Sequence, residues 1–175
     1  MGFQSAVRFR QTDGFRGQVI HDVPSVIRSW RLTSQVAQAN TFGKAFTYAG
    51  EQPGTNGQPA IPLAQVGLTA VGADFAGILV NPEEFALLGT SQGPLSPSLE
   101  LPAYSRAQLL TEGECVVEFS TAVTFGEPVF FDNTTGELFN AAAAGRSQIP
   151  GASVSRTIGA AGLTTITLVG QLTVA

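Results

Sequence analysis

The chain has 175 residues, 43% of them hydrophobic and 13% charged, with one lysine and a mean hydropathy of +0.18. That length predicts one domain with an arm or a long insertion, and the charged fraction is about half the usual 25%, so much of the surface is expected to face other protein and not water. The net charge of −4 argues against nucleic acid as the main partner, and the lone Cys115 excludes an internal disulfide.

In chain order, residues 1–40 mix short apolar pieces with arginine and glutamine and carry no 3.6-residue stripe, which predicts an extended N-terminal arm with one or two short strands. The arm is basic. Five arginines (Arg8, Arg10, Arg16, Arg28, Arg31) against Asp13 and Asp22 give residues 1–31 a charge of +3, whereas four basic and eleven acidic side chains give residues 32–175 a charge of −7. The arm lacks the dense Lys/Arg run of a phosphate binder. A β-rich body is expected over 41–175. Residues 41–49 alternate as a strand, 51–62 form a Pro/Gly/Asn-rich loop, and 73–80 are an apolar run suited to a buried strand. Residues 81–89 predict one short helix: Asn81 caps it, Pro82 takes the first turn, Glu83 and Glu84 sit near the positive end of the dipole, and Gly89 stops it. Residues 90–102 form another loop.

From Tyr104 onward the pattern is β. Residues 114–125 alternate, with Cys115, Val117, Phe119, Thr121, Val123 and Phe125 on one parity. A hairpin follows, its arms Pro128–Phe131 and Glu137–Phe139 joined by Asp132-Asn133-Thr134-Thr135-Gly136. Residues 141–150 form a link, 152–158 a strand, and Ile166, Leu168, Leu172 and Val174 share a parity across Gly170, where a bulge is expected. Short strands with almost no helix predict a mainly β fold, an antiparallel sandwich or barrel.

Chemistry-bearing motifs are sparse. Gly89-Thr90-Ser91-Gln92-Gly93 matches G-x-S-x-G, but it follows a predicted helix, and the one histidine, His21, lies upstream, so the triad order of an α/β-hydrolase is not met. A cap running into a polar loop explains the match. His21 has no Cys/His cluster around it, and Cys115 lies on the apolar parity of a strand, a buried hydrophobe and not a nucleophile. Glu112, Glu114 and Glu118 share a strand face, read as a wet face or as a contact for a basic partner patch. Asn133-Thr134-Thr135 is explained by its turn, and no phosphate-cradling loop occurs. No catalytic residue, cofactor site or metal site is assigned. No signal peptide or apolar stretch of membrane-spanning length is read, which gives a protein kept or assembled in the cytoplasm.

Several stretches carry a family likeness: Phe75-Ala76-Gly77-Ile78-Leu79-Val80-Asn81-Pro82, Leu101-Pro102, Leu109-Leu110-Thr111-Glu112-Gly113-Glu114 and Val129–Leu138, with Phe3-Gln4 and Phe42-Gly43. Together they resemble the structural cement proteins of tailed bacteriophages, over most of the chain and most strongly over 75–139. The resemblance implies a non-enzymatic decoration protein on the phage head, assembled in the host cytoplasm. It would bind the major capsid protein, bridge neighbouring subunits and form a homo-oligomer, a trimer or else a dimer, with no direct contact to nucleic acid or membrane. Because aromatics and arginine are enriched in interface cores, the expected contacts are Phe9, Arg10, Phe15, Arg16, Trp30 and Arg31; the alternative is that Phe9 and Phe15 pack on the chain's own body. Rival readings are a virion-surface module for a host glycan or receptor, and a hydrolase using Ser91.

Overall fold

The computed structural model describes residues 14–20, 22–33, 40–54, 59–66, 75–81, 101 and 104–169. Within them the chain forms ten strands: β1 Val19–Ile20, β2 Val26–Leu32, β3 Ala45–Gln52, β4 Ile61–Val66, β5 Phe75–Val80, β6 Arg106–Phe119, β7 Pro128–Asp132, β8 Leu138–Phe139, β9 Arg146–Val154 and β10 Gly162–Leu168. No helix occurs among the described residues. The helix expected over 81–89 lies outside them from residue 82 onward, as do Phe9, Arg10, His21, Ser91 and the stretch from Gly170.

The architecture is organised by β6, whose 14 residues take part in two closed rings. Its first half, 106–112, pairs antiparallel with β2 on one edge, from Arg31↔Arg106 to Val26↔Glu112, and with β5 on the other at Ile78↔Leu110, Leu79↔Leu109 and Val80↔Gln108. β5 pairs with β3, β3 with β4, and β4 returns to β2 in a short parallel ladder at Arg31↔Leu63 and Leu32↔Ala64. The second half, 113–119, pairs along its length with β10, from Leu168↔Gly113 to Gly162↔Phe119. β10 pairs with β9, β9 with β7, β7 with β8, and β8 meets β6 at Phe119↔Leu138. The ladders therefore close as barrels, resolving the choice between sandwich and barrel. Closure leaves fewer free edges than an open sheet of the same strands.

Hydrophobic pattern explains which faces meet. The apolar run of β5 is buried on both faces: Ala76 and Leu79 join Leu32, Phe42, Phe46, Ala64 and Leu109 inside the first ring, while Ile78 and Val80 join Leu110, Cys115, Val117, Phe131, Ile149 and Ile166 in the second core. The outer face of β5 and β6 thus helps fill the second ring.

The hairpin read from sequence forms as expected, with Phe130↔Phe139 and Phe131↔Leu138 paired. Asp132 Oδ1 accepts from the N–H groups of Thr134 and Thr135 at 2.8 Å each and from the Thr135 hydroxyl at 3.2 Å, while Gly136 N–H donates to the Asp132 carbonyl at 2.9 Å. Gly136 sits at φ +68°, a conformation that glycine adopts without steric cost.

Boundaries elsewhere shift. β6 begins at Arg106 and stops at Phe119, earlier at both ends than the alternation over 114–125 suggests. Beyond it, Val123 makes an isolated bridge to Ile158, and Phe125, on the apolar parity, is 72% exposed. β4 occupies residues read as the end of a loop and its sequel, and β9 starts at Arg146 and not near Ala152.

Candidate interaction surface

Residues 14–20 form a strap along an edge of β6. Gln18 N–H donates to the Phe15 carbonyl at 3.0 Å, closing a turn, and β1 then pairs Val19↔Cys115 and Ile20↔Glu114. At the turn, Gly17 N–H donates to the Val116 carbonyl at 2.8 Å, and its own carbonyl accepts from Asn81 N–H at 2.9 Å. A β-carbon there would lie 2.6 Å from Phe42 Cβ and 3.2 Å from the Leu79 carbonyl oxygen, and φ is +83°, so only glycine fits unstrained. Val116, of outward parity yet 2% exposed, lies beside the start of the strap, where a β-carbon on Gly14 would stand 3.6 Å from its Cγ2.

The six expected contact residues fall into three groups. Phe9 and Arg10 lie outside the described residues. Phe15 is half-buried in the strap, and Arg16 beside it is engaged within the chain: Nη1 lies 3.1 Å from Glu118 Oε2, and the aliphatic stem packs over Gly43. Trp30 and Arg31 sit together at the β2 end of the first ring. Trp30 packs on the first core and meets Tyr48 edge-on, with ring centroids 5.9 Å apart and planes at 81°. Arg31 Nη1 donates to Gln52 Oε1 at 2.6 Å. The structure therefore joins Phe15 with Arg16, and Trp30 with Arg31, as two separate places. Arg106 was not singled out from sequence; the register sets it directly opposite Arg31, a juxtaposition that no local pattern encodes.

The three glutamates of β6 are similarly divided. Glu118 holds Arg16, Glu114 Oε1 accepts from the Thr167 hydroxyl at 2.9 Å, and Glu112 is exposed. Arg16, Glu118, Ser120, Glu137, Leu138 and Phe139 line an open depression of about 180 Å³. That is below the roughly 300–1,000 Å³ of small-molecule pockets. Its one guanidinium already faces a carboxylate.

Cys115 is wholly buried on the inner face of β6, and its thiol is pushed up to about 12, first by burial and then by the Glu114 charge. A thiol so protonated and enclosed is a packing group, as the alternation predicts. Among the described residues no group of three or more His, Cys, Asp or Glu is placed to hold a metal ion.

A chain in the solved structure "The capsid of Myoviridae Phage XM1" shares the fold with a TM-score of 0.64 at 15% identity, covering 96% of this chain and 98% of that one. No curated protein matches. The model of one family, "Structural cement protein (E217 gp24/Pam3 gp6)", matches residues 3–169. With a match across nearly its whole length, this chain belongs to the phage structural cement protein family.

Proposed function

We propose that the protein is a non-enzymatic cement of the phage head, which binds the shell of the major capsid protein from outside and bridges neighbouring subunits as a homo-oligomer. The family match over 3–169 carries this reading. Low charge, a Phe-rich composition and a fold of two small barrels agree with it. The contacts are assigned to the basic N-terminal part: Phe9 and Arg10 ahead of the strap, Phe15 and Arg16 in it, and Trp30 and Arg31 at the rim of the first ring. The physics is that of a clamp. Burying apolar surface across a seam contributes roughly 25 cal/mol per Å² before association costs, and a symmetric shell repeats each contact many times.

Particle stability tests the proposal. Heads made without this protein should release DNA at a lower temperature, or on a milder osmotic shock, than heads that contain it, and added purified protein should restore them. Equal resistance of the two kinds of particle, with no uptake of added protein, would refute the bridging role.

A further inference from the structure

β2 is seven residues long, yet β4 pairs only with Arg31 and Leu32. On that side Val26–Trp30 has no strand partner among the described residues. An unpaired edge presents backbone N–H and C=O groups ready for another strand. Here the edge is also apolar, since neighbouring Val26 and Ile27 are 40% and 38% exposed. It is basic as well. Arg28 and Arg106 are exposed, Arg31 is half-buried, and none of the three makes an ion pair among the described residues. Arg31 and Arg106 stand directly opposite each other on adjacent strands. Like charges so placed are mutually destabilising, and no carboxylate among the described residues pairs with them.

From this juxtaposition we infer that the free edge of β2 takes up an extended acidic segment of the shell subunit as an added strand. The inference rests on the cement reading above and deepens it by naming what the partner presents. Main-chain hydrogen bonds along Val26–Trp30 supply affinity, and Arg28, Arg31 and Arg106 supply the selection for carboxylates. A second copy of this chain is disfavoured at the same edge, because two-fold pairing of β2 with β2 would bring arginines against arginines.

The test uses the full chain and shells assembled from the phage's major capsid protein without it. Arg28→Glu and Arg106→Glu are made separately; the second places opposite charges across from each other at Arg31 and is expected to fold at least as stably as the parent. Each should bind shells at least about tenfold more weakly than wild type, with a shallower dependence on salt. In wild type, the amides of 26–30 that do not face β6 should exchange hydrogen more slowly once bound. Binding of folded variants equal to wild type, or exchange at 26–30 unchanged by binding, overturns strand addition and leaves the cement reading standing. Failure of wild type itself to bind shells overturns both.

Discussion

At the head of the β7–β8 hairpin, Asp132 links a turn to the charge state of the protein. Burial pushes its carboxyl up, but hydrogen bonds from the Thr135 and Thr134 N–H groups and the Thr135 hydroxyl, with the nearby Arg146 charge, outweigh this and hold it below the usual carboxylate range. A depressed carboxyl contributes stability above its unfolded value of about 3.9, and loses it as the pH falls through the lower folded value. Asp132→Ala should therefore cost about 1–2 kcal/mol at pH 7. The gap to wild type, read from denaturant melts, should shrink below about pH 4 as the wild-type carboxyl protonates. A gap that is the same at pH 7 and pH 3 would show that the ionised form does not matter. Cys115 offers a second check at this scale. It should resist thiol reagents in the folded protein and label fully in denaturant; prompt labelling under native conditions would place it outside the core. Both residues were legible in the sequence, because a five-residue turn and a period-two strand are local patterns.

Among the elements, the strap and β6 decide how the N-terminal part is joined to the body. Gly17 touches both β6, through the Val116 carbonyl, and the chain just after β5, through Asn81. Gly17→Ala should destabilise by about 2–4 kcal/mol, from the left-handed backbone and the contact with Phe42. A melt within about 0.5 kcal/mol of wild type would mean that the strap is not fixed as described. Because β1 and β2 belong to the ladders, truncation at Gly14 keeps every strand described, whereas truncation through Arg31 removes β1 and most of β2. The elements that sequence reading missed share a cause. β4 contains Pro62, and its apolar residues follow a Pro/Gly-rich loop, so tertiary pairing with β3 overrides a local breaker signal. β9 holds Pro150 and Gly151 at a stretch where neither its β7 nor its β10 ladder assigns a partner, so the interruption costs few strand hydrogen bonds. The parity of Phe125 continues that of β6 after the strand itself has ended, which is why alternation alone placed it inside.

For the whole molecule, fold class and much of the core could be read from composition and alternation, but ring closure could not. It depends on pairings such as Val26↔Glu112 and Leu168↔Gly113, between residues far apart in sequence. The basic N-terminal part, residues 1–31, was legible as a charge count, while the meeting of Arg31 with Arg106 emerged only from register. Sharing β6 also predicts cooperative unfolding, since neither ring closes without it. The single tryptophan, Trp30, packs on the first core and reports on that ring, and far-UV circular dichroism reports on both. The two denaturation curves should coincide; separated midpoints would mean that the rings melt independently. The most direct measurement of the cement role is a cryo-electron microscopy reconstruction of the mature phage particle. The account predicts density for these paired barrels on the outside of the shell, repeated at the seams between capsid subunits, with the edge of β2 turned toward the shell. Particles whose seams are bare, with this chain absent or confined to the tail, would contradict it.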